Sequence, residues 1–228
     1  MAFILNIDTA TEYAGVCISD GENILAIEES QDQKNHASFV QLAIKKIVVE
    51  TGISFSSIDA IAVTQGPGSY TGLRVGLATA KGLCYALKKP LILINTLEVM
   101  ALASIRDSQD KQSETGKILF CPMIDARRME VFTAVYNDQL ENILPPTAMI
   151  LNEHSFSEEL LNHPIIFSGS GSSKLQGTVS HQNVNFFNTK HSVKHLSILA
   201  TLHFKRNKFN DIAYSEPLYL KEFFNTKK

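Results

Sequence analysis

The sequence predicts an α/β protein in which mixed β-sheets carry helices on their faces. Short apolar runs of strand length alternate with longer segments whose apolar residues recur at helical spacing. The pair Asp20-Gly21 separates two apolar runs, which is typical of a β-hairpin. A polar, turn-rich stretch over residues 106–116 precedes a second strand pair. We therefore predict an N-terminal lobe over residues 1–105 and a smaller C-terminal lobe over residues 106–228.

The individual elements follow from the same patterns. Strands are expected in the N-terminal lobe over residues 3–7, 14–19, 23–27, 59–64 and 91–95. Helices are expected there over residues 36–51, 71–89 and 96–105. Gly52 and Pro90 are typical of the residues that follow a helix, and Thr96 is a good helix N-cap. Strands of the C-terminal lobe are expected over residues 118–124, 131–136 and 165–167.

Composition excludes a chain that is basic over its whole surface. The 228 residues carry a net charge of −2, whereas proteins that grip nucleic acid along their length have a strong basic excess. The charge is unevenly distributed: residues 1–173 contain 12 basic and 20 acidic residues, and residues 174–228 contain nine and three. This basic tail is interpreted either as a surface that faces a partner or a nucleic acid, or as a solvated surface without a partner.

Cysteine usage and hydropathy indicate a cytoplasmic protein without a membrane segment. Cys17, Cys84 and Cys121 are far apart and form no C-x-x-C, so free thiols in a reducing compartment are expected. The apolar N-terminus has no basic region and is interrupted by Asp8, unlike a signal peptide. We find no run of about 18 apolar residues that would span a bilayer.

A glycine-rich loop over residues 65–70 connects a predicted strand to a predicted helix. The first turn of a helix offers unpaired N–H groups and the positive end of the helix dipole, an arrangement that binds anions. The loop lacks the Lys-Ser/Thr pair of a P-loop, and a tight turn without a ligand is the equal alternative. The candidate anion or nucleotide-binding residues are Asp8, Thr9, Gly66, Gly68, Ser69 and Arg74.

The helix after this loop carries two stripes of small residues. Gly72, Gly76 and Ala80 form one stripe, and Ala78, Gly82 and Ala86 form the other. Small residues at a spacing of four allow close approach of another backbone, and glycine inside a helix costs about 1 kcal/mol relative to alanine. The pattern therefore predicts close packing, either within the chain or against another subunit.

Metal and nucleophile motifs are weak. His36 has no second histidine four residues away, so no helical metal pair is expected. The segment over residues 168–173 resembles half of a dinucleotide loop, but Lys174 replaces its last glycine. Aspartates at predicted strand ends form only a faint magnesium pattern, comprising Asp8, Asp59 and Asp125. We therefore predict no metal site. A Ser-His-Asp triad stays an open alternative by residue count, although the sequence contains no G-x-S-x-G.

Four segments identify a resemblance to a known family: residues 4–12, 66–83, 125–132 and 216–221. The second of them reads Gly-Pro-Gly-Ser-Tyr-Thr-Gly-Leu-Arg-Val-Gly-Leu-Ala-Thr-Ala-Lys-Gly-Leu and is long and specific. In all four the chain resembles the TsaB (YeaZ) family of bacterial tRNA threonylcarbamoyladenosine biosynthesis proteins. The resemblance implies an actin/Hsp70/sugar-kinase-like (ASKHA) fold of two lobes with mixed sheets and a reduced second lobe.

The resemblance also implies a non-catalytic scaffold that activates a catalytic subunit, TsaD, with the ATPase TsaE as a third member. TsaD binds metal through H-x-x-x-H, where this chain reads His36-Ala-Ser-Phe-Val40. ATP and the threonylcarbamoyl adenylate donor would be used by the complex, no cofactor would be bound by this chain for catalysis, and tRNA would be met only through the complex.

Subunits of this family pair through helices of the N-terminal lobe, as a homodimer when alone and as a heterodimer with TsaD. The residues that this implies at the interface are Phe39, Ala43, Leu73, Gly76, Leu77 and Ala80. The alternative is an independent enzyme of the same fold, either metalloprotease-like or a small-molecule kinase. A third hypothesis, direct tRNA binding, rests on the basic tail.

Overall fold

The structure, a computed structural model, describes residues 2–31, 36–109 and 118–221. The chain divides into two compact units. Unit 1 comprises Met1–Ala103 and Lys190–Pro217, and unit 2 comprises Ser104–Thr189 and Leu218–Lys228. The predicted C-terminal lobe over residues 106–228 therefore needs correction, because a long segment near the end of the chain packs with unit 1.

Ten strands and six α-helices make up the described part of the chain. The strands are β1 (Phe3–Asp8), β2 (Ala14–Asp20), β3 (Asn23–Ser30), β4 (Ala60–Gly66), β5 (Leu91–Asn95), β6 (Leu119–Asp125), β7 (Glu130–Tyr136), β8 (Asn142–Ile150), β9 (Ile165–Ser168) and β10 (Val184–Phe186). The helices are α1 (His36–Thr51), α2 (Tyr70–Leu87), α3 (Thr96–Gln109), α4 (Ser157–Asn162), α5 (Ser172–Leu175) and α6 (Val193–Lys205). A 3-10 turn covers Phe55–Ser57.

Unit 1 is built on a five-stranded mixed sheet in the order β3-β2-β1-β4-β5. The first three strands form an antiparallel meander, and the predicted turn at Asp20-Gly21 is confirmed, with Gly21 at φ 62°. Strands β1, β4 and β5 are parallel, so their carboxyl ends lie at one edge of the sheet. One face of the sheet packs against α1 and α2 through a continuous apolar core that includes Val16, Ile44 and Leu77.

Helix α6 packs on the other face of the same sheet, and it belongs to residues 190–217, the part of unit 1 that we call the return segment. A Cβ at Gly15 would lie 2.8 Å from Val193 Cγ1, so the glycine in β2 makes room for the start of the helix. Ser192 and His195 exchange a reciprocal capping box, and Thr201 Oγ1 donates to the carbonyl of Gly21 at 2.8 Å. No helix was predicted here from the sequence, although apolar residues recur at a spacing of three or four.

Unit 2 is built on a second five-stranded mixed sheet in the order β10-β9-β6-β7-β8. The predicted hairpin of β6 and β7 is confirmed, and β6 and β9 pair in parallel. Strand β8 was missed because Pro145 and Pro146 interrupt its pattern. Proline is tolerated there because β8 is an edge strand that pairs only with β7 in this sheet.

Two further predictions concern the polar loop that separates the predicted lobes and the lack of a membrane-spanning segment. Helix α3 continues to Gln109, so the predicted polar loop over residues 106–116 begins later than expected. Its remainder, residues 110–116, lies outside the described residues. Over the three described ranges, no helix has the combination of length and apolar character needed to cross a membrane.

All three cysteines are free and buried. Burial raises the pKa of the Cys17 and Cys84 thiols to about 12, and burial also places the pKa of Cys121 above its usual range. The thiolate is the reactive form of cysteine, so the folded chain holds these thiols in an inert state.

We expect the native protein at pH 8 to show negligible reaction with a chromogenic disulfide reagent over minutes. Unfolding in guanidinium should release three reactive thiols, because it restores both access and an ordinary thiol pKa. The comparison is made by absorbance at matched protein concentration. Rapid reaction of even one thiol in the native state would contradict the burial described above.

Candidate functional site

The glycine-rich loop lies against the turn that follows β1. The amide of Ser69 donates to the carbonyl of Ala10 at 2.7 Å, and Thr9 Oγ1 donates to the carbonyl of Gly72 at 2.7 Å. Ser69 is the N-cap of α2, and its Oγ accepts from the amide of Gly72 at 3.3 Å. The first turn of α2 is therefore bound to the chain's own backbone.

Three glycines make this contact possible. A Cβ at Gly68 would lie 2.1 Å from the Ala10 carbonyl oxygen, and one at Gly72 would lie 2.0 Å from the Thr9 carbonyl oxygen. At Gly76 a Cβ would lie 2.4 Å from Thr9 Oγ1. The neighbours at Gly68 and Gly72 are backbone atoms that no rotamer change can move. Close packing within the chain therefore accounts for these glycines without any ligand.

Asp8 ends β1 as a fully buried carboxylate at the centre of a polar cluster. Its Oδ1 accepts hydrogen bonds from the Ala10 amide at 3.1 Å and from Thr64 Oγ1 at 2.9 Å. Its Oδ2 accepts no hydrogen bond from the residues that the structure describes, and His191 Nε2 lies 3.7 Å away. The same His191 nitrogen lies 3.2 Å from Thr11 Oγ1.

Sequence reasoning missed three residues of this cluster, Thr11, Thr64 and His191, of which His191 is the most distant from Asp8 along the chain. It is 183 positions away from Asp8 along the chain and is itself buried. The only signal was the number of histidines in the basic tail. The Asp8–His191 pair ties the start of the return segment to the end of β1, inside unit 1.

The six candidate anion-binding residues are thus only partly brought together. Asp8, Thr9, Gly68 and Ser69 surround Ala10, and Gly66 ends β4 beside them with φ 117°. Arg74 is exposed on α2, and its guanidinium carbon lies 3.9 Å from the Tyr70 ring centroid. Anion binding at this loop stays a prediction, and the contacts seen here are those of a tight turn.

The residues that the resemblance implied for a subunit interface face the core of unit 1. Ala43, Leu73, Leu77 and Ala80 are at most 4% exposed, Gly76 is buried, and Phe39 packs against the core from its edge. Their side chains offer almost no surface to a partner, and the first small-residue stripe serves packing within the chain. An interface through these residues stays a prediction, and other residues of the two helices offer more exposed surface.

The opposite side of the two helices carries those other residues. Leu42 and Val49 of α1 are 67% and 75% exposed, and Tyr85 of α2 is 82% exposed. The second small-residue stripe lies between them on the outside of α2, and a Cβ at Gly82 would contact nothing within 4 Å. We call this surface the helical face; it comprises Leu42, Val49, Ala78, Gly82, Tyr85 and Ala86.

The remaining strand-end aspartates have structural partners. Asp59 Oδ2 accepts from the Phe3 amide at 2.9 Å. Lys174, which breaks the glycine pattern of its loop, donates to Asp125 Oδ1 at 2.6 Å. Burial acts to raise the pKa of Asp125, but Lys174 and the Arg127 amide outweigh it, so the pKa lies below its usual range. Within the described ranges, no group of three or more His, Cys, Asp or Glu side chains is placed to bind a metal ion.

Comparison with protein families and curated proteins gives consistent matches. A family model described as "TsaD: tRNA N6-adenosine threonylcarbamoyltransferase" matches residues 23–222. The tRNA threonylcarbamoyladenosine biosynthesis protein TsaB of Bacillus subtilis is 29% identical over 75% of this chain and 72% of its own length. The TsaB protein of Escherichia coli is 34% identical over 58% of this chain, and the match spans about half of that relative, 54%.

Solved structures show the same fold. YeaZ from Pseudomonas aeruginosa superimposes with a TM-score of 0.76 at 23% identity, covering 96% of this chain and all of that one. A protein described as similar to peptidase YEAZ from the same organism superimposes with a TM-score of 0.82 at 21% identity, covering 97% of this chain. The predicted α/β fold of two lobes with mixed sheets is therefore confirmed.

We expect Gly72→Ala to lower the free energy of unfolding by about 1–3 kcal/mol, because the added methyl meets a backbone oxygen at 2.0 Å. Gly82→Ala, on the exposed side of the same helix, is the matched control and should raise it by about 0.5–1 kcal/mol. Guanidinium unfolding followed by circular dichroism measures both. Equal stability of the two variants would show that the turn after β1 does not press on α2.

Proposed function

The chain belongs to the TsaD family, in which it groups with the TsaB (YeaZ) proteins, and on that premise we propose that it is a non-catalytic scaffold subunit for forming N6-threonylcarbamoyladenosine in tRNA. The observation that carries the scaffold role is the helical face. Its partner would be a TsaD-type catalytic subunit, and a second copy of this chain would occupy the face when that subunit is absent.

The helical face has the chemistry of an interaction surface. Large exposed side chains at Leu42, Val49 and Tyr85 are costly to leave in water, and exposed apolar patches commonly mark protein interfaces. Between them Ala78, Gly82 and Ala86 leave the backbone of α2 open to close approach by a partner helix. Gln41 Nε2 donates to Thr79 Oγ1 at 3.2 Å and ties the two helices together. The face therefore combines exposed apolar side chains with a hydrogen bond that joins its two helices.

The filled turn at the start of α2 supports the non-catalytic part of the proposal. The spaces beside Gly68 and Gly72 are occupied by the backbone of Ala10 and Thr9. A nucleotide phosphate would have to displace this backbone before it reached the first helical turn. ATP, the threonylcarbamoyl adenylate donor and a TsaE-type ATPase would accordingly act elsewhere in a complex, which we place in the cytoplasm.

The proposal is tested by reconstitution with a TsaD-type subunit, a TsaE-type ATPase, ATP, the threonylcarbamoyl donor and tRNA, leaving out one component at a time. We expect this chain alone to modify no tRNA and to raise the rate of the TsaD-type subunit strongly. A TsaD-type subunit that is equally fast without this chain would refute the scaffold role. Turnover of ATP or cleavage of a peptide by this chain alone would favour the independent enzyme instead.

The helical face is tested separately with two exposed leucines. Leu42→Arg places a charge on the face, whereas Leu161→Arg changes a leucine of similar exposure, 73%, on α4. We expect Leu42→Arg to weaken self-association and binding to the TsaD-type subunit at least tenfold, because an unpaired charge would be buried. Leu161→Arg should leave both unchanged. Analytical ultracentrifugation and calorimetry measure these affinities, and wild-type behaviour of Leu42→Arg would exclude the face.

A further inference from the structure

The turn that ends α6 carries a cluster of positive charge. Lys205, Arg206 and Lys208 lie within four positions, and every residue over 205–211 is exposed. In the part of the chain that the structure describes, no carboxylate forms a salt bridge with any of these three side chains. We call these three residues the basic turn. The proposed scaffold role makes no use of it.

The basic turn has a fixed backbone. Asn207 adopts the left-handed conformation at φ 52°, and its amide donates to the Phe204 carbonyl at 2.9 Å. The Lys208 amide donates to the His203 carbonyl at 2.9 Å, as in a Schellman helix end, and the Phe204 and Phe209 rings pack at 5.7 Å. A backbone fixed in this way presents its cations with little loss of backbone entropy when a ligand binds.

Asn210, which follows Phe209, anchors the backbone of the basic turn to the sheet of unit 1. The Asn210 amide donates to the Leu91 carbonyl at 2.9 Å, and Asn210 Oδ1 accepts from the Leu93 amide at 2.9 Å. Both contacts lie on β5, at the edge of the sheet. The basic turn is therefore part of the folded unit and not a loose tail.

The pKa of His203, a half-buried histidine beside the turn, responds to the positive charge of the basic turn. Burial, followed by Lys208 and Arg206, lowers the pKa of His203. Glu98 lies within electrostatic reach of Lys208, and burial as the larger effect raises the pKa of Glu98.

Two exposed aromatic side chains follow the basic turn along the chain. Phe209 is 40% exposed, and Tyr214 is 86% exposed. Lys81 Nζ donates to the carbonyls of Ala213 at 3.4 Å and Ser215 at 3.0 Å, so the backbone on both sides of Tyr214 is held. Cations on a fixed backbone, together with exposed rings, are a combination typical of surfaces that bind the phosphates and bases of RNA.

We propose that the basic turn binds the phosphodiester backbone of tRNA. This rests on the proposed function, because that function supplies an RNA substrate to the complex. Charge complementarity favours a polyanion, and the exposed rings of Phe209 and Tyr214 farther along the chain favour RNA over an acidic protein surface. Three cations give weak binding by themselves, so the turn would add affinity and orientation to a complex that already holds the tRNA.

The test compares two triple variants in complex with the TsaD-type subunit. K205Q/R206Q/K208Q removes the basic turn, and K88Q/K190Q/K194Q removes the same charge elsewhere in unit 1. Because the first variant can no longer neutralise three phosphates, its slope of log affinity for tRNA against log salt should become shallower by about 2–3. We also expect tRNA affinity near 0.1 M salt to fall about tenfold, and KM for tRNA to rise with kcat unchanged. The control should match the wild type in all three measurements.

A second measurement reports from the turn itself. NMR titration of the His203 ring should show its pKa rising when an anticodon stem-loop is added, because phosphates neutralise Lys208 and Arg206. The pKa should rise in K205Q/R206Q/K208Q even without RNA, because two of the cations that lower it are removed. Circular dichroism verifies separately that the variant is folded.

Several results would overturn the proposal. An unchanged salt slope in the basic-turn variant would do so, as would an equal loss in the control, which would show an effect of net charge alone. Loss of TsaD-type binding with tRNA affinity intact would identify the turn as a protein contact. Failure of the wild-type chain to stimulate the TsaD-type subunit would refute the proposed function instead. In that case the salt dependence of tRNA binding, measured on the isolated chain and its basic-turn variant, would show separately whether the basic turn binds RNA.

Discussion

The structure of unit 1 depends on one close contact, in which the backbone of Thr9 and Ala10 presses against the first turns of α2. The contact is possible only because Gly68, Gly72 and Gly76 have no side chains. It joins the end of β1 to the N-cap at Ser69 through short hydrogen bonds, and it thereby sets where α2 begins. A long stretch of unusual sequence is explained by this single steric requirement.

The same contact divides α2 into two functional sides. Leu73, Leu77 and Ala80 are buried in the core on one side of the helix, so only the other side is exposed. That side retains small residues, which leave the helix backbone accessible, next to large apolar residues of α1. One helix thus serves the packing of the unit and provides the surface on which we base the scaffold role.

The return segment completes unit 1 and also brings in its positive charge. Helix α6 covers the free face of the sheet at Gly15, and His191 reaches the buried carboxylate of Asp8. Farther along, Asn210 pairs with the edge strand and fixes the turn that carries Lys205, Arg206 and Lys208. Residues 190–217 thus bring five basic and two acidic residues onto a unit whose first segment, residues 1–103, carries seven basic and ten acidic residues.

Much of the fold was readable from the sequence by itself, since local patterns carry it. Hydrophobic periodicity, the turn at Asp20-Gly21 and the motif over residues 66–83 predicted the order of elements of unit 1 up to α3, as well as the first hairpin of unit 2. These signals come from residues that are close together in the chain, so they can be recognised without knowledge of the tertiary structure. The family resemblance rested on the same local motifs.

Tertiary structure alone decided the rest, because it depends on residues far apart in sequence. Spacing showed two small-residue stripes on α2, but only packing revealed that the stripe with Gly76 is inside and the stripe with Gly82 is outside. The pairing of Asp8 with His191 spans 183 positions and leaves no local trace. The return of residues 190–217 to unit 1 was equally invisible, because burial is a property of the assembled sheet and not of the segment.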